Sequence, residues 1–272
     1  MKKDDHTICE KTQKDIRKRA DLLLRKADAL GTFPTPIPQI VEAAGLELSR
    51  EAILDKAFIG DIYRNLPNAL KLAPDKIKRA AAKLMGLLDR HDRTIHIDKE
   101  LYPAKQSFLT LHEVGHDFLP WQNKTFTLLE DSETELDPDT RDDFEREANC
   151  FASDVMFQND EFTKEVADHP FTIWTPVKIG KNYGASVYAA LRRYVSTSDI
   201  SCAVVVLEPV KNSRSALRRV IVSPQHLKNF GNYPLPLDFG PGDFFYESLP
   251  AKKILKNVTS YIERSERRRM GH

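Results

Sequence analysis

Twelve residues constrain this chain more than any other stretch: Phe108-Leu109-Thr110-Leu111-His112-Glu113-Val114-Gly115-His116-Asp117-Phe118-Leu119. Leu109, Leu111, Val114, Phe118 and Leu119 make a helix apolar on most sides, so a helix from about 104 to 119 must be buried. A buried helix that carries two histidines and a glutamate needs partners for them. Histidines four apart on a helix lie about 40° apart in azimuth and about 6 Å apart along the axis, so both imidazoles reach one ion on one side. Zinc is the economical partner. Glu113 is offset by about 100°, beside the ion, where it can act as a general base on a water. With eight histidines in the chain, chance alone yields such a pattern in roughly one to two chains per hundred. The apolar context carries the reading further than the pattern does.

Zinc at a catalytic site needs a third protein ligand and an open position. Candidates lie in Phe144-Glu145-Arg146-Glu147-Ala148-Asn149-Cys150-Phe151-Ala152. With Phe144, Ala148, Phe151, Ala152 and Val155 as the buried stripe, Glu145 and Glu147 sit about 80° either side of its centre. Amphipathicity alone does not choose between them.

The remaining chain frames this site. Its 272 residues suggest one catalytic unit plus a modest appended region. A net charge of +1 gives no bulk electrostatic reason to seek nucleic acid or an anionic membrane. No run approaches the roughly 20 apolar residues that cross a bilayer, and the lysine-bearing N-terminus has no apolar signal-peptide core. Cys9, Cys150 and Cys202 are odd in number and widely spaced, which suits reduced thiols in a cytoplasm.

Helical periodicity predicts a first helix over 11–30, then a proline-rich connector and a short helix ended by Gly45, with a strand at Leu46–Leu48. Asp75 caps an expected helix to about 89. Thr94-Ile95-His96-Ile97-Asp98 alternates as a strand, whose edge could pair with substrate. Residues 120–137 read as a polar loop, and Pro138 opens a helix to about 157. Two short helices follow over 176–196, broken at Gly184. Beyond them come strands at 202–207 and 217–222, a proline- and glycine-rich stretch at 233–242, and a helix near 251–268. Two regions are expected: 1–197, including the helix-turn-helix-like hairpin at 176–196, and a small α/β region at 198–272.

The strand at 95–98, Leu111-His112-Glu113-Val114-Gly115-His116 and Glu145-Arg146-Glu147-Ala148-Asn149-Cys150-Phe151-Ala152 follow one another as in the ImmA/IrrE family of metallo-endopeptidases, which residues 15 to 197 resemble. The resemblance implies an α+β, mainly helical zincin-like core with a small, partly antiparallel sheet. It implies a zinc-dependent endopeptidase of regulatory role, whose protein substrate would be a partner such as a helix-turn-helix repressor. Glu145 is preferred as third ligand, beside His112 and His116. Ala148 and Ala152 lie on its side and, with Gly115, allow close helix approach; the spacing also resembles the Glu-x-x-Ala-Asp segment of other zinc peptidases, with Asn149 in the place of the aspartate. The chain departs from the family in lacking a proline after this segment, where it reads Met156-Phe157-Gln158-Asn159-Asp160. The rival reading is a DNA-binding regulator with a vestigial zinc site, for which Arg192 and Arg193 on the second hairpin helix would serve. The weak basic clustering speaks against direct nucleic-acid contact.

Overall fold

In a computed structural model, the residues described are 8–51, 86–132, 137–209, 215–231 and 238–239. Contacts group them into two units. One spans His6–Phe162 with Gly180–Ser186; the other spans Thr163–Ile179 and Val187 onward.

The first unit opens with α1 (Glu10–Lys26), which buries Ile16, Ala20, Leu23 and Leu24 at helical spacing. Its N-cap is Cys9, and Arg25 and Lys26 sit at the negative end of its dipole. Next come α2 (Ile37–Ala43) and β1 (Glu47–Glu51). A three-stranded sheet is completed by β2 (Gly86–Asp89) and β3 (Thr94–Asp98), in the order β1-β3-β2. The β1 strand runs parallel to β3, with Leu48 opposite Ile95; β2 runs antiparallel, with Leu88 opposite Ile95. The fold is thus mainly helical α+β with a partly antiparallel sheet, as the sequence implies.

Two expectations need correction here. Where a helix is expected to run to about 89, Gly86–Asp89 form β2 instead; the earlier part of that helix lies outside the described residues. Glycine costs a helix about 1 kcal/mol relative to alanine. The Asp89 carboxylate accepts from the Asp92 amide at 3.0 Å and Arg93 adopts a left-handed φ of 55°, which closes a tight turn back into β3. Further, β3 is the central strand of the described sheet, so its hydrogen-bonding edges are taken and it cannot add a substrate strand. Among the described residues, β1 and β2 are the outer strands of this sheet.

Three helices carry the site. Helix α3 (Pro103–Phe118) begins on a proline suited to the first turn and buries Thr110, Leu111, His112, Val114, Gly115, His116 and Asp117. Burial is concentrated in its second half, from Thr110 to Asp117, where Glu113 alone is half-buried. Residues 120–132, expected as loop, form α4 (Pro120–Ser132). Pro120 presets the first helical turn, and the amide of Asn123 bonds the Leu119 carbonyl at 3.0 Å. The polarity that suggests a loop is internal: Gln122 is fully buried. Helix α5 (Pro138–Met156) is capped by the Asp137 side chain, which accepts from the amides of Asp139 and Thr140. Its buried face holds Phe144, Ala148, Phe151, Ala152 and Val155. Where the family has a proline, α5 is ended instead by Gln158 and Asn159, both left-handed at φ 46° and 56°. Gln158 then secures the turn by accepting from the Gly31 amide and donating to the carbonyls of Ala29 and Thr32.

Helix α6 (Glu161–Ala167) leads into the second unit. There α7 (Trp174–Ile179) packs on α8 (Val187–Ser196), which buries Ala190, Leu191, Tyr194 and Val195. Arg192 and Arg193 are half-buried. The strands β4 (Ala203–Pro209) and β5 (Ser215–Val222) pair antiparallel, α9 (Pro224–Phe230) follows, and β6 (Asp238–Phe239) joins the edge of β5. The expected helix near 251–268 and most of the stretch at 233–242 lie outside the described residues. Among the described residues, no helix is long and apolar enough to cross a membrane.

Candidate metal centre

Close approach of α3 and α5 makes the site. Gly115 faces Ala148 and Phe151: a Cβ there would lie 3.1 Å from Phe151 Cδ1 and 3.3 Å from Ala148 Cα. Helices with larger residues at this crossing would stand further apart. Phe118 and Phe151 pack their rings nearby at 6.0 Å.

At the crossing, His112 Nε2 and His116 Nε2 lie 3.0 Å apart. Glu145 places Oε2 3.3 Å from His112 Nε2 and Oε1 3.7 Å from His116 Nε2. These donors form a group that could hold a metal ion. A tetrahedral ion with bonds of about 2.0–2.1 Å sets its donors about 3.3 Å apart. The observed 3.0, 3.3 and 3.7 Å bracket that value. The residues present therefore fit such an ion. Both histidines are buried, whereas the Glu145 side chain is 51% exposed, which leaves the cluster open on that side.

Charges in the cluster are strongly coupled. Burial lowers the pKa of His112, but the hydrogen bond to Glu145, the charges of Glu113 and Glu145, and the Asn149 side chain outweigh it and raise the pKa above the ordinary 6.5. Burial and the neighbouring His112 push His116 down to about 4. The hydrogen bond from His112 draws Glu145 below the usual carboxylate range, against the opposing effect of its burial. Burial raises Glu113; His112 opposes that shift and Glu145 adds to it. Without an ion, these directions favour a proton on His112, beside Glu145, over one on His116.

The neighbours fix the motif helix. Asp117, buried, accepts from Arg93 Nη1 at 2.6 Å and from Asn123 Nδ2 at 2.9 Å, which ties α3 to the turn between β2 and β3 and to α4. Arg90 donates to the His116 carbonyl at 3.2 Å and lies over the Phe126 ring at 4.5 Å. Phe126 in turn meets His116 and Phe144 edge-on.

The structure brings together His112, His116 and Glu145, with Glu113 close enough to feel the charges of His112 and Glu145. It does not bring Glu147 to the cluster. The Glu147 Oε2 accepts from Trp121 Nε1 and from Gln122 Nε2, both at 2.7 Å. Gln122 escapes a reading based on periodicity because its helix looks like a loop; the available signal is Pro120 just after the motif helix. Tyr183 is buried among Phe33, Phe157 and Phe162, and so takes no part in the cluster.

Residues 77–194 match the family model of the IrrE N-terminal-like domain, Peptidase M78. No curated protein matches the chain. Among solved structures, a Mycobacterium tuberculosis transcriptional regulator is similar at 11% identity and a TM-score of 0.47, over 77% of this chain. The chain spans about half, 55%, of that protein.

Proposed function

From the match of residues 77–194 to the IrrE N-terminal-like, Peptidase M78 family model, we propose that this protein is a zinc-dependent endopeptidase. Its ligands are His112, His116 and Glu145, and its proton-transfer residue is Glu113. One observation carries the reading: three donors of mixed imidazole and carboxylate type stand 3.0–3.7 Å apart and open to one side. Zinc suits two imidazoles and a carboxylate, and when bound it supplies Lewis acidity for water and for a peptide carbonyl.

The chain's own residues do the rest. Glu113 sits one residue from His112 on the same helix and is half-buried. Burial raises its proton affinity and His112 restrains that rise, so its carboxylate can take a proton from water and return it to a departing amine. Asn149 lies beside His112 and favours its charged form. Arg90 and Asp117 hold the backbone of α3 so that both rings keep their direction.

The protein substrate we propose is a regulatory partner, in the first instance a helix-turn-helix repressor. This finer part rests on the family resemblance. The test is cleavage of a proteome-derived peptide library by zinc-loaded protein, read by mass spectrometry. Wild type is expected to cut defined peptide bonds, while Glu113→Gln keeps zinc and fold and cuts none. Equal cleavage by both proteins would refute the assignment of Glu113.

A further inference from the structure

The Gln122 amide has only one orientation that satisfies its surroundings. Its Nε2 donates to the Phe144 carbonyl at 3.1 Å and to the Glu147 carboxylate at 2.7 Å. The Phe144 carbonyl has no proton to give. Turning the amide over would set its oxygen against both acceptors. Its Oε1 therefore faces His116 Nδ1, at 2.7 Å. An amide oxygen only accepts, so Nδ1 must carry the hydrogen. The neutral ring of His116 is then left with its lone pair on Nε2, the atom turned toward His112 and Glu145.

The far end of this chain is equally fixed. Glu147 Oε2 receives a second bond from Trp121 Nε1 at 2.7 Å, so two donors hold the one oxygen. Gln122 is fully buried, and no water is needed to complete its bonds. Three helices meet in the network: α3 supplies His116, α4 supplies Trp121 and Gln122, and α5 supplies Phe144 and Glu147. The same helix α5 thus acts on the cluster twice, directly through Glu145 and indirectly through Glu147. Outer bonds of this kind orient metal-ligating histidines and set their tautomer.

We propose that Gln122 is a positioning residue: clamped by Phe144 and Glu147, it fixes the Nδ1–H tautomer of His116 and presents Nε2 to the metal ion. Trp121 and Glu147 form the anchored end of the clamp. The inference rests on the metal-site reading above.

Two measurements test it. In metal-free wild-type protein at neutral pH, nitrogen-15 NMR of the histidine rings is expected to place the His116 hydrogen on Nδ1 and leave Nε2 bare. A hydrogen on Nε2 would overturn the proposal. Zinc affinity is then measured by competition with a chelator. Gln122→Met should weaken zinc by about 10- to 100-fold, the range typical for lost outer-shell bonds. Glu147→Gln should weaken it less, since the Phe144 carbonyl still orients Gln122. Unchanged zinc affinity in a folded Gln122→Met protein overturns the positioning role and leaves the metal site standing. Failure of wild type itself to bind zinc overturns the metal-site reading, and this proposal falls with it. If Gln122→Met does not fold, the wild-type tautomer decides.

Discussion

Replacing Gly115 by alanine sets two known effects against each other. The gain is helical: alanine in place of glycine in a helix interior is worth about 1 kcal/mol. The cost is steric. The new methyl would lie 3.1 Å from Phe151 Cδ1, 3.3 Å from Ala148 Cα and 3.4 Å from the Ala148 carbonyl oxygen. Carbon atoms prefer about 3.5–4.0 Å. Two of the three contacts are α5 backbone, and Phe151 is fully buried, so none can swing away. Relief requires α3 and α5 to separate by a few tenths of an ångström, and overpacking of this kind costs about 1–3 kcal/mol. The net expectation is a loss of about 0–2 kcal/mol. Urea unfolding of the metal-free protein measures it, with the slope unchanged if the unfolded state is unaffected. Zinc affinity should fall as well, because separating the helices withdraws Glu145 from the histidines. A variant stabilised by the full helix gain of about 1 kcal/mol, with wild-type zinc affinity, would refute the close approach as the basis of the site.

Two more outcomes follow from the same geometry. Zinc titration should show that Glu145→Ala loses far more affinity than Glu147→Ala, since the first removes a donor atom and the second only loosens the clamp on Gln122; the reverse order would move the third ligand to Glu147. The pH dependence of zinc binding should reveal a single competing proton. A ligand must be deprotonated to bind, and His112 is raised above 6.5 while His116 is held near 4. Affinity should therefore weaken as pH falls through the raised His112 value, by about tenfold per unit between pH 6 and 5. A slope of about a hundredfold per unit would mean that both histidines titrate together.

The sequence is most informative where one helix states its own environment. The apolar residues around His112 and His116 force burial, and burial forces a partner on the imidazoles. The stripe Phe144, Ala148, Phe151, Ala152, Val155 is likewise a local period, and it appears in α5 as read. What periodicity cannot supply is the relation between elements. Glu145 and Glu147 are equivalent about their own stripe; the small residues Ala148, Ala152 and Gly115 tip the sequence reading toward Glu145, and the crossing at Gly115 puts it beside the histidines and Glu147 beside Trp121. Strand order is hidden for the same reason, so the alternation at 94–98 identifies a strand without revealing that it is central. At 84–89 a helical spacing of leucines outweighed Gly86, although turn closure by Asp89 and Arg93 decides the local structure. Gln122 shows the converse error. A buried polar side chain whose bonds are all internal looks, in sequence, like a solvated loop residue.

The central claim is that His112, His116 and Glu145 hold one zinc ion, and elemental analysis of the purified protein with zinc titration tests it most directly. The account predicts about one zinc per wild-type chain and its loss in His112→Ala and His116→Ala proteins that remain folded. A wild-type protein that folds normally, contains no zinc and refuses added zinc would contradict it.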